Sequence, residues 1–144
     1  MKEIRNIRKA VATMANELHK AGLTLSEAFK KAWRRVKDSM TLRVAGTTHN
    51  NGQRKLSYLA NFKADDLGVV LEREPENAFD KNAVRVWVQI LSQKRQAAIG
   101  YIPAAVAKEI SRLMDKGCKI KASGKVIGGY EGRENFGFLL NMAF

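Results

Sequence analysis

The sequence predicts an α+β protein in two parts. Residues 1–40 form a basic helical hairpin, and residues 41–144 form a small β-barrel of about six short strands with inserted helices. Three observations predict it. Apolar residues recur at alternating steps of three and four in the first forty positions, the helical period. Beyond them come short runs rich in β-branched and aromatic residues, which suit strands. Those runs are separated by clusters of Gly, Pro, Asn and Asp, the residues that shape turns.

In the first helix Ile4, Ile7, Val11, Met14 and Leu18 make one apolar stripe, and Gly22 stands at its C-terminal stop. Thr24 with Glu27 three residues later reads as a capping box opening a second helix. That helix carries Leu25, Ala28, Phe29, Ala32, Trp33 and Val36 on one side, with Trp33 as the expected anchor of the hairpin. Its other side carries Lys30, Lys31, Arg34, Arg35 and Lys37.

Residues 42–48 read as a first strand broken by Gly46, followed by the polar turn of residues 49–52. A short helix over residues 54–62 would place Leu56, Leu59 and Phe62 on one face. Strands follow at 67–73 and 82–91, then a polar turn at 92–95 and another strand at 97–102. Pro103 suits the first turn of a helix bearing Val106, Ile110, Leu113 and Met114, which Gly117 stops. Residues 119–127 and 136–144 close the set as strands around a Gly-rich hairpin at 128–132. Short strands with two inserted helices point to a closed barrel of the OB or SH3-like kind.

Between the strands at 67–73 and 82–91 lies the most shaped stretch, EREPENAFDKNAV at residues 72–84. Pro75, Asn77, Asp80 and Asn82 mark a tight loop, because Asn and Asp side chains bond nearby backbone. Phe79 and Asp80 at its tip have two readings. Phe79 plugs the barrel end while Asp80 caps the turn, or the two form the rim of a binding pocket.

The net charge of +12 and pI near 10.1 point to a polyanionic partner, nucleic acid first and a membrane surface second. Charge is densest at the start, where residues 1–40 hold ten Lys/Arg and four Asp/Glu. The second helix offers mainly Lys and Arg, which contact phosphates without reading sequence, so a sequence-reading helix-turn-helix is not expected. A single cysteine, Cys118, excludes an internal disulfide and a Cys-based zinc site, and makes a reducing cytoplasm the expected location. No stretch approaches the ~18 apolar residues of a membrane span, and no signal peptide is expected. Neither a phosphate-cradling loop nor a Ser-His-Asp pattern is present, and no cofactor is expected. The enzymatic alternative is a metal-dependent nuclease using Glu72, Glu74, Glu76 and Asp80, which would require carboxylates converging on two ions.

The segments VAGTTHNN, LEREPENAFDKNAVRVWV, IGYIPAAVAKEISRLMDKG and NFGFLLNMAF together resemble a HIRAN domain, in the family's order and spacing. HIRAN domains occur on fork-remodelling helicase-like proteins and in small bacterial and phage proteins. The run LSEAFKKAW in the second helix also looks like segments of phage and mobile-element proteins. The resemblance implies a modified OB-like barrel that binds single-stranded DNA through a pocket for a free 3′ end, without catalysis. Asp80 matches the acid that meets the terminal 3′-hydroxyl, Phe79 an aromatic beside the terminal nucleotide, and Asn77 a polar loop residue there. Tyr101 matches a pocket position and Phe136 an aromatic that stacks on a base. In the first loop the best-known members present an arginine and tyrosines. This chain offers Thr47, Thr48, His49 and Asn50, a departure that points to weaker or altered end recognition.

The chemistry fits the implied role. An ionised carboxylate only accepts hydrogen bonds, so Asp80 would take one from a 3′-hydroxyl and repel a phosphate. Phe79, Tyr101 and Phe136 would stack on bases without reading them. Lys81, Arg85, Lys125 and Arg133 would follow the backbone and make affinity salt-dependent. The expected partner is therefore DNA, single-stranded or at 3′ ends, alongside a host or phage DNA-processing protein. The rival non-enzymatic reading is a protein-interaction adaptor that docks through the basic helices.

Overall fold

In a computed structural model, residues 2–129 and 135–144 are described. The chain runs through α1 (Lys2–Lys20), α2 (Leu25–Lys37), β1 (Met40–Arg43), α3 (Gly52–Leu59), β2 (Leu67–Arg73), β3 (Val84–Ile90), β4 (Arg95–Tyr101), α4 (Ala104–Asp115), β5 (Lys121–Gly128) and β6 (Phe136–Ala143). A single 3₁₀ turn at Ala64–Asp66 precedes β2.

The helical hairpin forms by the local signals expected. The Leu23 N–H bonds the Leu18 carbonyl and the Gly22 N–H bonds that of His19, a Schellman stop that needs the positive φ of 112° at Gly22. Thr24 and Glu27 bond each other's backbone N–H, both at 3.3 Å, completing the capping box. The packing differs from expectation at Trp33, which is 43% exposed and anchors nothing. Ala28 and Ala32 are the fully buried residues of α2, continuous in one core with Ala10, Val11, Met14 and Ala15 of α1. Small side chains let the helices approach closely, and that turns the bulky Leu25, Phe29 and Trp33 outward. The hairpin meets the rest of the chain through Arg35–Glu109 at 2.8 Å, Arg112–Glu17, and a two-way bond between the Asn6 amide and the Lys119 backbone.

The strands form two three-stranded antiparallel sheets, ordered β1-β6-β5 and β2-β3-β4. This corrects the closed OB- or SH3-like barrel: the strand number is as expected, but the ring does not close. The reason lies in the first strand, which leaves its sheet after Arg43 and turns away at Gly46. Among the described residues the open ends of the two sheets then meet at one bridge, Ala45 with Tyr101, whose backbone bonds are 2.8 and 2.9 Å. On the other side β2 lies against β5.

In β3 the residues Val84, Val86, Val88 and Ile90 are all buried and face the core. Opposite them, Phe138, Leu140 and Met142 of β6 are fully buried. Helix α3 adds Leu56 and Leu59, and α4 adds Ala107, Ile110 and Leu113. Arg85, Trp87 and Gln89 alternate onto the outer face of β3, in register with Tyr101, Ala98 and Gln96 of β4. That outer face is the floor of the site.

Candidate nucleic-acid interface

The β2–β3 loop is built by its own short polar side chains. The Asn77 Oδ1 accepts from the Phe79 N–H at 2.9 Å and the Asp80 N–H at 3.1 Å. The Asp80 Oδ1 accepts from the Asn82 N–H at 2.8 Å, and the Ala83 N–H returns to the Asp80 carbonyl at 3.1 Å. These Asx turns fix the tip in one shape. They hold Phe79 99% exposed, so it plugs nothing. Asp80 does cap its loop, but with one oxygen; among the described residues its Oδ2 has no partner.

A polar network fastens this loop to the sheet. Glu74 Oε1 accepts from the Asn77 amide and from the Tyr101 hydroxyl, both at 3.1 Å. Glu74 Oε2 lies 3.0 Å from Arg85 Nε. Arg85 also donates to the Tyr101 hydroxyl, at 2.8 Å from Nη2, and its guanidinium carbon sits 5.3 Å from the ring centroid. The Tyr101 bond is the main reason the Arg85 pKa is raised, with the Glu74 charge adding to it, so its charge is secure. Tyr101 is thus half-buried and clamped, its hydroxyl donating to an acid and accepting from a cation.

The first loop forms the opposite wall. The Ala45–Tyr101 bridge brings it onto β4, which has Gly100 at the contact. A side chain there would overlap the Ala45 carbonyl oxygen, so only glycine permits the approach. Gln53 then ties the loop to β6, donating to the carbonyls of Thr47 at 3.2 Å and Phe136 at 2.8 Å and accepting from the Phe136 N–H at 2.7 Å.

Between these walls lies a cleft of about 940 Å³. It gathers Asn77, Phe79, Asp80, Arg85, Tyr101 and His49 from the residues expected at the site, and adds Lys55 and Trp87. Four expected residues lie elsewhere. Thr48 and Lys81 are exposed but do not line the cleft. Phe136 sits on the other sheet, partly buried against the core, and its ring fills the space beside Gly129. Lys125 is on β5, away from the cleft, while Arg133 and much of the 128–132 hairpin fall outside the described residues.

Trp87, singled out by no sequence motif of the site, also lines the cleft. It lies on the outer face, and its indole Nε1 is buried with no hydrogen-bond partner among the described residues. The signal was present: with Val84, Val86, Val88 and Ile90 on one face, strand alternation puts Trp87 on the other. The acidic residues Glu72, Glu74, Glu76 and Asp80 do not gather. Glu74 is engaged by Tyr101, Arg85 and Asn77, and no group of three His, Cys, Asp or Glu able to hold a metal occurs among the described residues. Among the described residues no helix is long and apolar enough to cross a membrane.

No curated protein matches the chain. A crystal structure of a protein from Lactobacillus plantarum is 21% identical, covering 74% of this chain and 100% of that one with a TM-score of 0.43. The family model of the HIRAN domain matches residues 37–139. The chain therefore belongs to the HIRAN domain family, a family of nucleic-acid-binding domains.

Proposed function

We propose that this protein binds single-stranded DNA non-catalytically and takes a free 3′-hydroxyl end into the cleft between its first and β2–β3 loops. One observation carries the reading: a fully exposed aromatic, Phe79, stands at the cleft beside Asp80, which keeps one carboxylate oxygen unbonded. An exposed phenylalanine at the tip of a loop held by four hydrogen bonds stabilises no core, and suits a stacking surface. A free carboxylate oxygen accepts from a hydroxyl and repels a phosphate, which selects an unmodified end. The cleft volume is ample for a nucleotide.

The test is a titration of otherwise identical single strands ending in 3′-hydroxyl or 3′-phosphate, on the wild type and on Asp80→Asn. Asparagine keeps the turn-forming oxygen and removes the charge, so the fold is retained. The wild type should prefer the hydroxyl by about tenfold, the weight of one charge-assisted hydrogen bond, and Asp80→Asn should lose most of that preference. Equal affinity for both ends in the wild type would refute the reading.

The exposed Leu25, Phe29 and Trp33 on α2 favour a second role, docking of a DNA-processing protein by the helical pair. On that reading a Phe29→Ser, Trp33→Ser variant keeps full DNA affinity; a loss of affinity assigns the stripe to nucleic acid instead.

A further inference from the structure

The cleft continues into a second cavity of about 390 Å³ and then a third of about 280 Å³. Lys55, Gln96 and Ala97 line both the first and the second; Ile90, Arg95 and Gln96 line both the second and the third. The three follow β4 from Tyr101 at the cleft to Arg95 at its far end, about 20 Å along a seven-residue strand. This is the open edge of its sheet: among the described residues β4 pairs with β3 alone and makes one bridge, to Ala45.

The charged residues of this groove are of one sign, set around an apolar floor of Leu59, Val88, Ile90 and Ala97. The second cavity is lined by Arg54, Lys55 and Arg95 and by no acid, and the third adds Lys94. Lys55 is committed to the strand, its ammonium donating to the Ala98 carbonyl at 2.9 Å. Arg54, Lys94 and Arg95 make no side-chain hydrogen bond or ion pair among the described residues, and Arg54 and Arg95 are exposed. Among them lies Tyr58, 46% exposed on α3. Its ring is held edge-on to Phe62, with centroids 5.4 Å apart, and its hydroxyl donates to Gln93 at 3.2 Å. An aromatic held open between unpaired cations is the arrangement that stacks a base while its neighbours take phosphates.

We propose that the groove between α3 and β4 is a second subsite, holding nucleotides upstream of the 3′ end in the same strand. Tyr58 stacks on a base there, and Arg54 and Arg95 contact the phosphates. The proposal rests on the reading of the cleft as a 3′-end pocket, which sets the direction in which the strand runs. The protein would then grip several consecutive nucleotides, the end by Asp80 and Phe79 and the remainder by charge and stacking.

The test compares a thymidine dinucleotide with a hexanucleotide, each with a 3′-hydroxyl and a 3′-phosphate. The proteins are the wild type, Tyr58→Ala and the double variant Arg54→Ala, Arg95→Ala, with circular dichroism confirming that each folds. The wild type should bind the hexanucleotide about tenfold or more tightly than the dinucleotide. Both variants should lose most of that gain while binding the dinucleotide as the wild type does. In the double variant the salt slope for the hexanucleotide should fall by roughly 0.7 per lost phosphate contact. A length gain that survives in the variants, or is absent from the wild type, overturns the track alone. A dinucleotide bound equally well with either 3′ group overturns the end pocket, and with it the direction of the track.

Discussion

At the scale of single residues, the loop tip separates stability from binding. Phe79 touches almost nothing, so Phe79→Ala should leave the denaturant midpoint unchanged while weakening single-strand binding by ~1–3 kcal/mol, as loss of a stacked base does. Asn77→Ala removes the acceptor of two backbone N–H groups and should destabilise the protein by about 1–2 kcal/mol in urea unfolding, lowering affinity through a loosened loop. This contrast explains what was legible in the sequence. Asn and Asp spaced two or three apart announced a loop that bonds itself, and the acid and aromatic at its tip were evident. Whether Phe79 turned inward or outward was not, because a loop tip has no alternation to orient it. Glu74 and Tyr101 were separately visible, but their pairing spans 27 positions and depends on sheet register.

At the scale of elements, the site depends on how closely the first loop can approach β4. Gly100→Ala places a methyl group against the Ala45 carbonyl and should cost about 1–3 kcal/mol of stability, with a loss of binding that Phe79→Ala does not exceed. Most strand and helix positions were readable from periodicity; β2 covers the expected residues 67–73, whereas the first strand ends at Arg43 instead of reaching residue 48. The closure of the sheets was not readable. A barrel and two sheets joined at one corner share the same alternation, and the difference is a single departure of the chain after Arg43. Trp33 shows the same limit on a helix. It falls on the apolar side of α2, yet the alanines beside it make the close contact and leave it outside. Replacing Ala32 by Leu should therefore destabilise the hairpin by about 1–3 kcal/mol through overpacking, read by urea midpoint.

At the scale of the whole molecule, two ion pairs join the hairpin to α4, and the one at Glu109 makes stability sensitive to pH. Burial raises the Glu109 pKa, and the nearby charges of Arg35 and Lys31 only partly oppose it. The folded protein thus holds this proton more tightly than the unfolded chain. The resulting stabilisation is complete below the ordinary glutamate range and is lost as pH rises through the raised folded value. Lowering the pH from neutral through that window should therefore stabilise the wild type relative to Glu109→Gln in parallel urea titrations. The net charge of +12 acts over the same scale, drawing a polyanion toward the protein before any contact forms. Two tryptophans report where it lands: Trp87 on the cleft floor with an unpartnered indole N–H, and Trp33 exposed on α2. The most direct measurement is an NMR titration with a 3′-hydroxyl tetranucleotide, following the two indole resonances and the backbone amides. The Trp87 indole and the amides of Phe79, Asp80 and Asn82 should shift together while the Trp33 indole stays in place. Shifts confined to Trp33 and the α2 amides, with Trp87 unmoved, would contradict a 3′-end pocket in the cleft.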